Sequence, residues 1–319
     1  MREQWLRGGL ELPNGIQSHD PLSDVIGRID RHAFAAAFAQ WVRAGLPALA
    51  GHQVAIDGKS LRGSRSDNGM MHVIGAFATE ARLVLAVSAI PDKANEITAI
   101  PGLLAQLDLA GAIVSIDAMG CQKNVAKVIV EQKADYVLAL KENHPDLHAD
   151  VKLWLDDSDR QGYVHVHETV EKDHGRIETR RTVVSNDIDW LVQKPLWQGL
   201  QAVAMVESSR EIGGKLSCER RYYLCSITDV TRITQMIHRH WAIENQQHWI
   251  WDVQFGEDAH RARKNHSAAN LGLIRRTALN LLQQDTSNKW SIRRRKMRAN
   301  FDLRYREPVL FKTGQEISS

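Results

Sequence analysis

Three acidic residues, Asp57, Asp117 and Glu244, have the residue types and surroundings that divalent-metal chemistry needs. Asp57 and Asp117 each close a short apolar, strand-like run, whereas Glu244 lies in a stretch with helical character. Carboxylates at strand ends and one on a helix can converge on a hard cation such as Mg²⁺, which prefers oxygen ligands. Two such ions commonly promote in-line displacement at phosphorus. The pattern therefore predicts the cutting and joining of nucleic acid.

Asp57 and Asp117 are far enough apart in the chain for two more strands and a helix to lie between them. They can therefore end adjacent strands of one sheet, where ligands collect beyond the carboxyl ends of the strands. Each aspartate also has a simpler explanation by itself. Asp117 could cap the helix that follows it, and Asp57 could anchor a turn at Gly58.

Glu244 lies in an unusual helical pattern. On a helical period, Ile237, Trp241, Glu244 and His248 fall close to one stripe. A glutamate among aromatic residues and histidines is not the usual pattern of a solvated surface. It indicates either a functional carboxylate or a buried structural cluster in which Glu244 pairs with an arginine or a histidine. Periodicity alone favours neither explanation.

The 14 histidines raise the question of a zinc site. His165 and His167 fall on a predicted strand, and His144 and His148 have a helix-compatible spacing. Neither pair has cysteine partners at the spacing of a zinc finger, so we reject zinc. The three cysteines are odd in number and form no C-x-x-C pair, which indicates reduced thiols in a cytosolic protein.

The overall charge does not identify a partner, because the formal net charge is only +3. A concentrated basic stretch, residues 293–298, could lie against phosphates or form a solvated tail. No apolar stretch approaches the roughly 18 residues needed to span a bilayer. The N-terminus has no hydrophobic signal core. We therefore expect a cytoplasmic protein without a membrane partner.

The middle of the chain alternates between strand and helix patterns. Strands are predicted at 53–57, 71–78, 82–89, 112–117 and 136–140, and helices at 98–107 and 122–132. The short link at 79–81 makes the second and third strands a hairpin. Three antiparallel strands followed by strand–helix–strand alternation predict an α/β fold, a mixed sheet flanked by helices. This order is the one expected of a ribonuclease-H-like core.

The remaining segments complete the predicted organisation. A helix is predicted at 147–155, strand-like runs at 163–170, 177–184, 201–207 and 221–227, and further helices at 231–251 and 268–284. In the first segment, Asp30 is a suitable N-cap for a helix. The chain thus divides into an N-terminal region (1–50), a core (51–145 and 227–285), a β-rich insertion before the glutamate-bearing helix (146–226) and a basic C-terminal segment (286–319).

Several long motifs together resemble those of a known family. The stretch 55–64, which contains Asp57, resembles the first acidic motif of bacterial insertion-sequence DDE transposases, and 115–122, which contains Asp117, resembles the second. Further similar stretches are 136–144, 174–180 and the glutamate helix at 239–252. The group most similar to this chain is that of the H-repeat-associated proteins. The resemblance covers most of residues 20–312.

The resemblance implies a reaction and its participants. Asp57, Asp117 and Glu244 would hold two Mg²⁺ ions, with Mn²⁺ able to substitute. The family cleaves double-stranded DNA at transposon ends and transfers the strand into target DNA, and its members act as dimers or larger assemblies, so a homodimer on DNA is expected. Members of the group carry a longer N-terminal helical region, which implies that residues 1–50 are a shortened remnant of it.

Basic and aromatic residues near these motifs are the predicted DNA contacts. They are Lys59, Arg62, Lys141, His174, Arg176 and Arg180, together with Trp241 and His248 of the glutamate helix. Cations of this kind position DNA without reading its sequence, although any one of them could be an ordinary surface charge. Trp241 could pack in the core or stack on an extruded base, and core packing is expected for Trp249. The alternative to an active transposase is a catalytically silent DNA-binding remnant, and a weaker one is a nuclease without strand transfer.

Overall fold

The structure is a computed structural model. It describes residues 5–7, 11, 13, 15–16, 18–45, 48–65, 69–90, 96–157, 164–173, 176–212 and 215–311. Within these ranges, the side chains at 19, 172, 173, 176, 212, 215, 242 and 244–246 lie outside what it describes.

A nine-stranded sheet forms the centre of the described part of the chain. Its strands are β1 (Gln53–Ser60), β2 (His72–Ala78), β3 (Leu83–Ile90), β4 (Ile113–Ile116), β5 (Asp135–Leu140), β6 (His165–Asp173), β7 (Arg176–Ser185), β8 (Ala202–Ile212) and β9 (Lys215–Cys225). They lie in the order β3-β2-β1-β4-β5-β9-β8-β7-β6.

The first five strands have the arrangement predicted for a ribonuclease-H-like core. β1, β2 and β3 are antiparallel neighbours, whereas β4 lies parallel to β1 and β5 lies parallel to β4. The fold prediction is therefore confirmed. In the register of the central pair, Ile56 is the partner of Ile116. Asp57 and Asp117, each the next residue along, consequently lie side by side in the middle of the sheet. β1 continues to Ser60, so Asp57 lies inside its strand rather than at the predicted end, whereas Asp117 follows β4.

The predicted insertion continues the same sheet. β9 joins β5 in antiparallel register, with Leu224 opposite Leu138, and β8, β7 and β6 follow outward from it. β8 and β9 are both longer than the predicted runs. Their added residues are largely polar and exposed, and a pattern search for apolar strand residues does not detect such residues.

Nine helices are seen in the described ranges. They are α1 (His19–Arg28), α2 (Arg31–Ala44), α3 (Glu96–Leu104), α4 (Lys123–Glu131), α5 (Pro145–Asp156), α6 (Val230–Ala242), α7 (Ser267–Gln284), α8 (Ile292–Phe301) and α9 (Leu303–Phe311). The predicted cap of α2 is confirmed, since the Asp30 carboxylate accepts from the N–H groups of His32 and Ala33. α1 was not predicted. No described helix is long and apolar enough to cross a membrane.

The predicted long helix at 231–251 is interrupted. α6 ends at Ala242 and is followed by two π-helical segments, Ile243–His248 and Ile250–Gln254. Their wider turns break the single stripe that was expected to run from Ile237 to His248. π-Helical turns of this kind are rare and occur frequently at functional sites.

The two faces of the sheet bury two hydrophobic clusters. Along β4, Val114 and Ile116 belong to the larger cluster, whereas Ile113 belongs to the smaller one, beneath α6. Ser115 faces α6 as well, and its Oγ lies 2.9 Å from Nδ1 of His240. This alternation is the ordinary strand period. Its consequence is that α6 packs over β4, the strand that Asp117 follows.

Candidate active site

Asp57 is a buried carboxylate on β1, with only 7% of its surface exposed. Its Oδ1 accepts a hydrogen bond of 2.8 Å from the N–H of Gly58, a residue inside the strand rather than in a turn. Its Oδ2 lies 3.1 Å from Nε2 of His248 but is in no hydrogen bond with any described residue. A buried carboxylate oxygen without a hydrogen bond is costly, so Asp57 needs a further partner.

Asp117 follows β4 directly, and its Oδ1 accepts from the N–H of Gly120 at 3.2 Å. The next helix, α4, begins only at Lys123, so the capping explanation for Asp117 does not hold. Surrounding protein raises the pKa of Asp117, and the negative charge of Asp57 raises it further. The side chain is nevertheless open to solvent on one side. A cation bound between the two carboxylates would offset this repulsion and lower the pKa of Asp117.

Asp57 and Asp117 line the same small cleft, together with Gly58, Glu96 and Gly120. Two carboxylates that repel each other, one of them with a buried oxygen lacking a hydrogen bond, form a donor set that fits a hard divalent cation. No group of three or more potential metal-binding side chains is found within the described part of the chain. The side chain of Glu244, the third predicted ligand, is not part of that description.

Glu244 lies in the first π-helical segment, Ile243–His248, which packs against β1. His248, four residues further along, contacts Asp57 as described above. The chain segment that carries Glu244 thus lies beside Asp57. The position of its carboxylate stays a prediction.

A groove of about 820 Å³ opens beside Asp117. It runs between the ends of β5 and β9 and the face of α6, and it is open to solvent. Basic and aromatic side chains line it, among them Lys141, Arg220, Arg221, Tyr222 and Trp241. Glu142 and Glu219 line it as well, and Arg220 and Arg221 pair with Glu207 and Glu219. Lys141 is therefore the cation in it that is best placed to meet an anionic polymer.

Lys59 does not lie where a DNA contact would. Its ammonium group is buried, 2.7 Å from Asp252 Oδ1, 3.2 Å from Asp258 Oδ1 and 3.6 Å from Glu257 Oε2. Strand alternation accounts for this, because Lys59 is two residues after the buried Asp57 and faces the same side. The predicted strand ended at Asp57, whereas β1 continues to Ser60, so the prediction did not extend the alternation to Lys59.

Lys59 belongs to a group of six charged side chains that we call the paired-ion cluster. Its cations are Lys59, Arg62 and Arg276, and its carboxylates are Asp252, Glu257 and Asp258. Arg276 is fully buried, and its Nη1 donates to Glu257 Oε1 at 2.6 Å while its guanidinium lies over the ring of Trp251. Burial alone would raise the pKa of Glu257, but the charge and hydrogen bond of Arg276 outweigh it, so that the pKa is lowered. The cluster ties β1 to α7.

Arg180 is also held within the protein. Its guanidinium pairs with Glu178 at 2.8 Å and with Glu171 at 3.2 Å, and it lies over the ring of Trp241. Arg221 lies over the same ring at 4.8 Å, and Trp241 packs against the smaller hydrophobic cluster. For Trp241 the structure therefore favours packing over base stacking.

The other predicted contacts differ from one another. Arg62 is 80% exposed and Lys141 is exposed, so both are accessible to a ligand. His248 lies against Asp57. His174 and the side chain of Arg176 lie outside the described residues. The expected core packing of Trp249 is wrong, since 54% of its surface is exposed.

Two carboxylates on neighbouring strands of a ribonuclease-H-like sheet, one inside β1 and one directly after β4, are typical of nucleases and polynucleotidyl transferases. A family model described as the transposase DDE domain matches residues 51–281. The chain belongs to this family of DDE transposases. The resemblance to insertion-sequence transposases is thereby confirmed.

Curated relatives agree with the family. The "Uncharacterized protein in dhlA 3'region" of Xanthobacter autotrophicus is 49% identical over 235 residues, which make up 71% of this chain and 78% of the relative. The "H repeat-associated putative transposase YhhI" of Escherichia coli strain K12 is 35% identical over 315 residues, covering 95% of this chain and 83% of the relative. Among solved structures, a piggyBac transposase synaptic complex with hairpin DNA covers 85% of this chain and 59% of its own, with a TM-score of 0.36 and 11% identity. That likeness is too low to support an argument.

Proposed function

We propose that this chain cleaves DNA at the ends of an insertion sequence and transfers the cut strand into target DNA, in a reaction that depends on a divalent metal. Asp57, Asp117 and Glu244 are the proposed metal ligands and catalytic residues. One observation carries the proposal. The buried Oδ2 of Asp57 has no hydrogen bond to a described residue, and it belongs to a cleft that Asp117 also lines.

The proposed cofactor is a pair of Mg²⁺ ions, with Mn²⁺ able to substitute. When bound, such ions activate an attacking oxygen and stabilise the leaving oxygen of a phosphodiester. The chain's own contribution is to hold the ligands in place. Backbone N–H groups of Gly58 and Gly120 each donate to one oxygen of an aspartate. The other oxygen of Asp57 lies 3.1 Å from Nε2 of His248, which would share it with a bound cation.

Double-stranded DNA is the proposed partner, both as transposon end and as target. Lys141 lines the groove beside Asp117, and Arg62 lies on the loop that follows β1. We no longer propose Lys59 and Arg180, because internal carboxylates already neutralise them. His174 and Arg176 stay proposals from the family resemblance.

Trp249 replaces Trp241 as the proposed stacking residue. It is exposed and lies at the junction of the two π-helical segments, next to the one that carries Glu244. An exposed aromatic ring can stack on an unpaired base, and replacing such a ring by alanine weakens binding by about 1–3 kcal/mol.

The proposed working unit is a homodimer that holds two transposon ends in the bacterial cytoplasm, as the family resemblance implies. Cys121 and Cys225 are buried free thiols, which is consistent with a reducing compartment.

A cleavage assay tests the proposal. Purified protein is incubated with labelled DNA that flanks the gene and carries its inverted repeats, with Mg²⁺, with Mn²⁺ or with EDTA. We expect metal-dependent nicking that is lost in Asp57→Ala and kept in Asp150→Asn, a control that changes an exposed aspartate on α5. DNA binding without nicking under every metal condition would indicate the catalytically silent remnant instead. Nicked products without joined products would indicate a nuclease that lacks strand transfer.

A further inference from the structure

Positive charge is concentrated on α8 and beside it, in a region that the function proposed above does not use. From Lys289 to Arg306 the chain has eight lysines and arginines and one acidic residue, Asp302. The formal net charge of the whole chain is only +3, so much of the positive charge is gathered here. The basic stretch 293–298 lies within a helix, and it is therefore not the solvated tail that the sequence allowed.

We call the exposed cations of this region the α8 surface, which consists of Lys289, Arg293, Arg294, Arg298 and Arg304. Asp302 offsets part of its charge, since it lies 3.2 Å from Arg298 and 4.0 Å from Arg304. Arg293 and Arg294 are in no ion pair with any residue that the structure describes. Like charges held together on a surface repel one another, and a polyanion would relieve that repulsion.

The ring of Trp290 holds two of these guanidinium groups in place. The guanidinium carbon of Arg294 lies 4.6 Å from the ring centroid, and that of Arg298 lies 4.9 Å from it. The two arginines are one helical turn apart, so they lie on the same face of α8. A guanidinium group that stacks on a ring keeps its N–H donors at its edge, where they can bind a phosphate.

Two further cations of α8 attach the helix to the rest of the protein. Arg295 donates to the backbone carbonyls of Leu282 at 2.7 Å and Asn288 at 2.8 Å, and Lys296 donates to the carbonyl of Gln254. A carbonyl oxygen carries no net charge, so these hydrogen bonds fix α8 without cancelling its positive charge. Gln254 ends the second π-helical segment. α8 is therefore held beside the π-helical segments.

A groove of about 570 Å³ lies between the start of α8 and the first π-helical segment, Ile243–His248, which carries Glu244. Arg82, an exposed residue of the β2–β3 link, lines this groove as well. Arg239 also lines it, but its guanidinium is paired with Glu80. The groove thus joins the α8 surface to the segment on which the proposed third metal ligand lies.

We propose that the α8 surface binds the phosphate backbone of double-stranded DNA outside the site of cleavage. The inference rests on the proposed function, to which it adds a second contact with the same DNA. Charge complementarity carries it, because a duplex presents one negative charge per about 1.7 Å of its axis. Contacts of this kind position DNA without reading its sequence, so the surface accepts transposon-end and target DNA alike.

Fluorescence anisotropy with labelled duplexes at several salt concentrations tests the proposal. The full chain is used, and EDTA is present so that the result does not depend on the proposed metal site. Arg293→Ala combined with Arg294→Ala is expected to weaken binding and to reduce the slope of log affinity against log salt by about 2, since each phosphate contact contributes about 0.9. The matched control, Arg43→Ala combined with Lys127→Ala, removes two exposed cations from α2 and α4. Its slope is expected to equal that of the unaltered chain.

Two duplexes distinguish the possible sources of the DNA, one with the terminal inverted repeat and one of unrelated sequence. An equal loss on both supports a phosphate contact, whereas a loss confined to the repeat, or an unchanged slope, would overturn the proposal. Met297 and Phe301 are also exposed on α8. Unchanged DNA affinity together with a smaller assembly, measured by light scattering, would assign the surface to a contact between protein copies instead.

A second variant keeps the test independent of folding. The thermal unfolding temperature shows whether the variant with Arg293→Ala and Arg294→Ala is folded. If it is not, Arg293→Ala combined with Arg304→Ala takes its place, since the side chain of Arg304 is 98% exposed. The same reduction in the salt slope is expected.

The nicking assay distinguishes failure of this inference from failure of the proposed function. If the unaltered chain nicks DNA with metal and the variant with Arg293→Ala and Arg294→Ala has an unchanged salt slope, only the role of the α8 surface is refuted. If that variant shows the reduced slope but the unaltered chain nicks under no metal condition, the proposed cleavage is refuted and the α8 surface stands. Absence of duplex binding by the unaltered chain would refute both.

Discussion

Strand β1 carries two buried ionic side chains, Asp57 and Lys59. The two differ in whether oppositely charged groups of the same chain surround them. The ammonium group of Lys59 meets Asp252, Asp258 and Glu257 within the paired-ion cluster. Asp57 shares a cleft with two further carboxylates and keeps an oxygen without a hydrogen bond to any described residue.

The difference separates a structural site from a functional one. In the paired-ion cluster, three cations face three carboxylates, so the charges balance inside the chain. In the cleft that Asp57 and Asp117 line, the two carboxylates repel each other. Like charges gathered in this way are characteristic of sites at which pKa values are perturbed for a task.

The largest expected effect is on catalysis. Asp57→Asn removes a proposed metal ligand but can still accept from the N–H of Gly58. Because a catalytic metal contributes several kcal/mol, we expect DNA cleavage to fall about 10³-fold. The rate of nicking measures this. Stability in EDTA is expected to stay the same or rise, since repulsion with Asp117 is relieved, and a marked loss of stability would contradict the comparison.

In the paired-ion cluster, removing a charge should lower the stability of the chain. Glu257→Gln leaves the buried Arg276 without its ionic partner, and breaking such a pair costs about 3–5 kcal/mol of unfolding free energy. Urea denaturation monitored by circular dichroism measures it. Glu257→Leu combined with Arg276→Met removes both charges and is expected to cost less than the two single changes added together. A fully additive result would show that the two side chains are not coupled.

The two regions should also differ in the sign of their pH dependence. The pKa of Asp117 is raised above its ordinary value of 3.8, so its contribution favours folding below that pH and is lost as the pH rises through the folded pKa. The pKa of Glu257 is lowered below 4.5, so its contribution favours folding above that pH and is lost as the pH falls through the folded pKa.

Asp117→Asn should therefore gain stability relative to the unaltered chain as the pH rises from acid. Glu257→Gln should be least damaging in acid. For each variant, the difference in unfolding free energy from the unaltered chain is measured across the acidic pH range. If both differences changed with pH in the same direction, the opposite pKa shifts assigned to Asp117 and Glu257 would be contradicted.

The smallest expected effect concerns exposed cations. Lys141→Ala should weaken DNA binding uniformly across sequences and reduce the slope of log affinity against log salt by about 1. Lys59→Met should instead lower stability, because it removes the cation that Asp252 and Asp258 both contact. Fluorescence anisotropy at several salt concentrations and a denaturation curve separate the two. If the slope of log affinity against log salt changed in a folded Lys59→Met variant and not in Lys141→Ala, Lys59 rather than Lys141 would be the DNA contact.

The sequence was sufficient to predict that Asp57 and Asp117 lie close together on neighbouring strands. Asp57 and Asp117 close apolar runs, and parallel pairing of Ile56 with Ile116 brings them together. These features depend on local patterns and on simple rules of sheet topology. The cap at Asp30 was predictable for the same reason, since a cap depends on residues within one turn.

Other features depend on contacts between distant segments and could not be read from local patterns. The carboxylates that bind Lys59 lie about 200 positions downstream, so the local pattern around Lys59 indicates a surface cation. The π-helical turns after Ala242 respond to packing, whereas a helical period assumes regular turns. Glu96 begins α3 as solvated glutamates often begin helices, yet it is buried and lies close to Gly58.

The central claim is that Asp57, Asp117 and Glu244 hold divalent cations together. Anomalous X-ray scattering from crystals of the full chain grown with MnCl₂ tests it most directly. The account predicts Mn²⁺ peaks within about 2.5 Å of carboxylate oxygens of all three residues. Mn²⁺ bound at Asp57 and Asp117 with the Glu244 carboxylate turned away from it, or Mn²⁺ bound only elsewhere on the chain, would contradict the account.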